Sequence, residues 1–148
     1  MKILTIEEFR SLAPQLSEKI PYLKMLALFG SRATGKTHRD SDWDFATLYD
    51  RAIRENYCQA RPFSWFEVPH ILGSLFNLNS EKIDVVELDR SSPLLGFQVA
   101  RDGKLLYERQ PDEFIKFQCK AWKIYADTAK FRKSQQESIE LWLQKRGL

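Results

Sequence analysis

The sequence predicts an α/β or α+β domain, a mixed sheet flanked by helices. Three observations carry this. Apolar runs of strand length recur at residues 24–29, 42–49 and 82–88, the last rich in β-branched side chains. Segments with apolar residues at helical spacing separate them, the alternation expected of such a domain. From Phe114 onward, apolar residues recur every three or four positions, the period of one long helix.

The elements follow in order. Thr5 caps a first helix and Glu8 stands three residues later, as in a capping box. Ile6, Phe9, Leu12, Ala13 and Leu16 keep its period, and Pro21 ends the region. Residues 24–29 form a strand apolar throughout, hence buried on both faces. In residues 42–49, alternation places Asp42, Asp44, Ala46 and Leu48 on one face, and Trp43, Phe45, Thr47 and Tyr49 on the other. Residues 50–61 are polar and fit either a loop or a short helix. A helix then begins near Phe63, with Phe66, Leu72, Leu75 and Phe76 on its apolar side and Trp65 also in the core; Asn77 and Asn79 mark its end. After the strand at 82–88, Ser91 or Ser92 before Pro93 starts another helix, closed by Gly103 in the favoured C-terminal position. Residues 105–108 read as a short edge strand. Pro111-Asp112-Glu113 opens the long helix, which runs to about 145 with Phe114, Phe117, Ala121, Ile124, Thr128 and Phe131 as its stripe. Ile139, Leu141, Trp142 and Leu143 form a further apolar cluster, able to dock on the domain or on a partner.

A chain of 148 residues is most simply one domain, 1–148, with a core at about 24–108 and the terminal helix at about 111–145. Its net charge of +3 suits a protein that handles nucleotide phosphates, and is too weak to argue for direct nucleic-acid binding. Cys58 and Cys119 stand outside any C-x-x-C pattern, so neither zinc nor a disulfide framework is implied, and free thiols point to a cytoplasmic protein. No apolar stretch approaches ~20 residues, so no membrane span is expected, and the first eight residues lack a signal-peptide core.

Function concentrates in residues 30–44, Gly-Ser-Arg-Ala-Thr-Gly-Lys-Thr-His-Arg-Asp-Ser-Asp-Trp-Asp. Residues 30–37 match the phosphate-loop pattern G-x-x-x-x-G-K-[ST]. That loop needs a helix starting at about Lys36, yet the residues after it show no apolar helical stripe and the next strand arrives too soon. A second reading uses more of the chain. Asp42 and Asp44, two apart on a strand, present carboxylates to one side, and hard oxygen ligands suit Mg²⁺ shared with substrate phosphates. Asp84 begins another apolar strand, and three converging carboxylates can hold two metal ions for phosphoryl displacement. Gly30 admits phosphates close to the backbone, Ser31 adds a hydroxyl, and Arg32, Lys36 and Arg39 supply positive charge. His38 and His70 stand alone and read as surface and helix residues.

This combination resembles the DNA polymerase β nucleotidyltransferase superfamily: Gly30-Ser31, then Asp42-x-Asp44, then Asp84 in an Ile-Asp-Val-Val strand. The runs Gly-Ser-Arg-Ala-Thr-Gly and Ser-Asp-Trp-Asp-Phe-Ala, with Val-Ala-Arg-Asp-Gly-Lys-Leu-Leu-Tyr-Glu at 99–108, resemble its minimal nucleotidyltransferase branch, antitoxins of HEPN/MNT toxin–antitoxin pairs. The Lys36-Thr37-His38 stretch is more basic than the loops of that family. The resemblance implies AMP transfer from ATP, with two Mg²⁺ ions, to a tyrosine of a HEPN-domain RNase toxin, which silences it. It implies that Gly30 and Ser31 bind the triphosphate, that Asp42 and Asp44 hold metal, and that Asp84 serves as ligand or general base. Arg32 and Lys36 are further candidates for nucleotide binding. Two alternatives stay open: an antitoxin that acts by occluding the toxin without catalysis, and transfer to a small hydroxylated molecule.

Overall fold

The computed structural model describes residues 4–37 and 41–147, the side chain of Trp65 excepted. His38 and Arg39 therefore lie outside the described residues, as does the expected burial of Trp65.

The chain opens with α1 (Ile6–Leu12), whose cap is the one expected: Thr5 Oγ1 accepts from the Glu8 N–H at 3.2 Å. A 3-10 turn through Pro14 leads into α2 (Leu16–Lys19). Then follow β1 (Leu23–Phe29), α3 (Ser31–Thr34), β2 (Trp43–Tyr49), α4 (Arg51–Ala60), α5 (Glu67–Phe76), β3 (Ile83–Glu87), α6 (Pro93–Asp102), β4 (Lys104–Glu108) and α7 (Glu113–Lys145). The strands form one sheet in the order β3-β2-β1-β4. β1 is antiparallel to both β2 and β4, while β2 and β3 run parallel. The sheet is thus mixed, and β4 is an edge strand, as expected.

Strand alternation sorts the apolar residues onto two faces. Leu26, Leu28, Trp43, Phe45 and Ile83 pack with α1, α2 and α5 around Phe9. Phe9 is fully buried, and its ring lies 4.7 Å from Phe76 and 5.5 Å from Trp43. Met25, Ala27 and Ala46 point the other way and pack with Val99 of α6 and Phe114 of α7.

Of the two options for residues 50–61 the structure has the helix, because Asp50 caps α4 by accepting from the Ile53 N–H and Arg54 ties it to the sheet, pairing with Glu87 at 2.6 Å over the Tyr49 ring. The helix expected from Phe63 begins only at Glu67, after a separate 3-10 turn, and Phe66 is 73% exposed rather than in the core. Gly103 does close α6, but with extended φ of −65°; what requires glycine there is space, since a Cβ would collide with the Val99 carbonyl oxygen. The terminal helix matches its expected span, although its distal residues Phe131, Ile139, Leu141 and Trp142 are exposed and do not dock on the domain. Among the described residues no helix is long and apolar enough to cross a membrane.

Candidate active site

β1 ends at Phe29, and Gly30 turns the chain at φ 73°, ψ −158°, a conformation essentially reserved for glycine. The turn seats Gly30 against β2: a Cβ built there would collide with Oδ2 of Asp44. Ser31 then opens α3, a single turn in which the Gly30 carbonyl accepts from the Ala33 and Thr34 N–H groups at 3.1 and 3.2 Å. Gly35 stops it with a left-handed φ of 78°. No helix starts at Lys36, so the phosphate-loop pattern of residues 30–37 is a coincidence of spelling. The helical turn precedes the lysine.

The carboxylates are placed by strand pairing. Asp44 lies opposite Phe29 on β1 and directly opposite Asp84 on β3. Adjacent strands lie ~4.8 Å apart, so parallel pairing brings two acids distant in sequence side by side. Asp42 stands just before β2 on the same side. Asp42 and Asp84 are exposed, whereas Asp44 is half-buried. Burial, and then the charges of Asp84 and Asp42, push the Asp44 carboxyl above its ordinary range. No lysine or arginine among the described residues forms an ion pair with any of the three.

The basic residues separate into two roles. Arg32 is engaged in the fold: its Nε and Nη2 donate to the Ser41 carbonyl at 3.2 and 2.8 Å, and its guanidinium lies 4.4 Å from the Trp43 ring centroid. It thereby ties α3 to the start of β2. Lys36 is exposed. Sequence reasoning missed the neighbours of Lys36: the Asp102 carboxyl is held below its ordinary range, first by its hydrogen bonds with Arg101 and then by the charges of Arg101, Lys104 and Lys36. The start of β4 lies beside the end of β1, Lys104 pairing with Leu28, so the end of α6 and the start of β4 lie near the Gly30 turn. Only the tertiary fold brings residues 36 and 102–104 together, so no local spacing could have signalled it.

The three carboxylates fit a hard divalent cation. They are oxygen donors, Asp44 is pushed upward first by burial and then by its two acidic neighbours, and a cation would relieve that cluster. Among the described residues no three acidic, histidine or cysteine side chains close into a cage by themselves. A Mg²⁺ ion there would take one or two of the carboxylates and complete its shell with phosphate oxygens and water.

Known proteins resemble this chain in sequence and fold. The family described as polymerase beta, nucleotidyltransferase, matches residues 12–112. The protein adenylyltransferase MntA of Aphanizomenon flos-aquae is 51% identical over 147 residues, covering 99% of this chain and 98% of the relative. A crystal structure of a toxin–antitoxin with AMP-PNP contains a chain 26% identical, with a TM-score of 0.61, covering 93% of this chain and 99% of the other. A structure of a tri-AMPylated Shewanella oneidensis HEPN toxin in complex with an MNT antitoxin holds a chain of the same fold, at 23% identity and TM-score 0.55, covering 92% and 99%.

Proposed function

This chain belongs to the polymerase beta nucleotidyltransferase family, and we propose from this that it is an antitoxin that transfers AMP from ATP to a tyrosine of a HEPN-domain RNase toxin. The observation that carries the reading is the register of β2 and β3, which sets Asp84 directly across from Asp44 while Gly30 abuts the Asp44 carboxylate. The adenylyltransferase relative supports a protein acceptor. The AMP-PNP complex of a related toxin–antitoxin supports ATP as donor and a toxin as partner.

The roles follow from placement. The Gly30 turn and Ser31 receive the triphosphate, because the missing Cβ lets the Asp44 carboxylate lie against the backbone of the turn. Lys36, exposed at the loop, offers a cation to the outer phosphates. Arg32 holds the loop to β2 and so fixes where Asp42 stands. Asp42 and Asp44 would hold Mg²⁺, with Asp84 completing the set; bound there, the metal would lower the pKa of the attacking hydroxyl and neutralise charge on the leaving pyrophosphate. Asp84 is exposed, as a group that must meet the incoming acceptor has to be. The tyrosine oxygen bonds to the α-phosphorus as the bond to pyrophosphate breaks, and the phenolic proton passes to a carboxylate oxygen of Asp84. A phenol with an unperturbed pKa near 10 needs such a base.

The test uses labelled ATP, Mg²⁺ and the product of the neighbouring gene. Wild type should label that protein, and Asp42→Asn/Asp44→Asn should reduce labelling by at least about a hundredfold, the scale of losing electrostatic stabilisation at the reacting phosphate. Equal labelling by both would refute the reading. A double variant that still neutralises the toxin in cells would favour occlusion instead.

A further inference from the structure

Past the sheet, α7 continues as a free arm. Its 33 residues span about 50 Å at 1.5 Å per residue, yet its buried residues, Phe114 and Ala121, lie in its first third. The stripe that seats the helix on the domain keeps its phase beyond it: at 100° per residue, Phe131 and Trp142 fall on the same side as Phe117 and Ile124. These two residues are 63% and 51% exposed. Lys116, Lys120, Lys123 and Lys130 run along one edge of this stripe, all exposed. Residues 116–133 carry six basic side chains and one acid, so the rest of the chain is net negative despite the total of +3.

The stripe leads into a cavity of about 370 Å³ between α6, α7 and the sheet. Leu48, Leu88, Phe117 and Ala121 form its apolar lining, with Lys116 and Lys120 also on the wall. Leu48 stands on the same face of β2 as Asp44, four residues on, a run of about 13 Å along a strand. Cavity and helical arm therefore lie on the same side of the sheet as the carboxylates, with Ala46 buried between Asp44 and Leu48.

We infer that this surface docks the protein acceptor, and that it fits an amphipathic helix whose apolar ridge is flanked by carboxylates. An apolar stripe at helical spacing is complementary to another helix. The lysine row selects acidic flanks and steers their approach. A docked partner would cover the cavity and lie within one strand length of the catalytic acids. The inference rests on the reading that the acceptor is a protein, and it supplies the means by which this domain selects that protein.

The test titrates the purified product of the neighbouring gene against the full-length chain, at low and at high salt. The triple variant Lys116→Glu/Lys120→Glu/Lys123→Glu should bind it about tenfold more weakly or worse, with less dependence on salt, while Mg²⁺-dependent binding of a fluorescent ATP analogue stays at the wild-type level. Phe131→Ala/Trp142→Ala, on the arm beyond the domain, should weaken partner binding likewise, and it decides the matter if the lysine variant fails to fold. Wild-type partner affinity in a folded lysine variant or in the arm variant overturns the inference. So does loss of ATP binding in the lysine variant, which would place the row in the nucleotide site. A change confined to self-association, or to binding of a duplex RNA probe, overturns it as well. If wild type binds the partner without labelling it, the function reading fails while the docking surface is still judged by affinity.

Discussion

Asp44 is where the residues of this site are in tension. Half-buried beside Asp84 and Asp42, it has a carboxyl raised above its ordinary value near 3.8, with burial as the largest cause and the two neighbouring charges behind it. A carboxyl raised in the folded state costs stability once it ionises. The penalty is absent well below that value, grows as pH rises through the shifted range, and is complete at neutral pH. Asp44→Asn should therefore melt higher than wild type at pH 7 without divalent metal, by on the order of a few °C, and the gain should fade as pH falls below the ordinary aspartate range. Thermal melts across pH measure this directly. A gain independent of pH would assign the effect to packing instead of charge.

At the level of elements, the junction of β1 and α3 depends on one residue. Gly30→Ala forces a side chain into a backbone conformation reserved for glycine and into the Asp44 carboxylate. The strain should cost about 1–3 kcal/mol, and AMP transfer should fall toward the level of the carboxylate double variant; melts and labelling read the two effects separately. That junction was legible in the sequence, because Gly30-Ser31 and Asp42-x-Asp44 are local patterns on either side of a turn. The proximity of Asp84 was legible only conditionally, since it needs β2 and β3 to be neighbours, a fact of long-range pairing. Helix α4 was legible only as one of two options: Cys58 is its one buried residue, and what secures it is the Asp50 cap and the distant partner Glu87 of Arg54. Phe66 misled for the opposite reason. Its apolar character argued for the core, but it belongs to a 3-10 turn ahead of the helix and faces water. Arg32 looked like a phosphate contact from its position beside Ser31, while the fold uses it against Trp43 and Ser41.

For the molecule as a whole, the two faces of the sheet have different duties. One is filled by the cluster around Phe9, packed with α1, α2 and α5. Phe9→Ala should remove about 3–5 kcal/mol, the range for deleting a buried phenylalanine, readable as a lower urea midpoint. Labelling per folded molecule should stay near wild type, because no ring of that cluster reaches the carboxylates' side. The other face carries Asp44, Ala46 and Leu48, with Ala46 sealed beneath α6 and α7 and Asp44 and Leu48 half-buried. The segment joining β2 to β3 crosses on the first face, where α5 packs into the Phe9 cluster away from the carboxylates. The parallel pairing that brings Asp84 to Asp44 thus also makes the protein separable by genetics: a suppressor screen should sort its alleles onto two sides of one sheet, with rescue of abundance mapping to one and rescue of toxin control to the other.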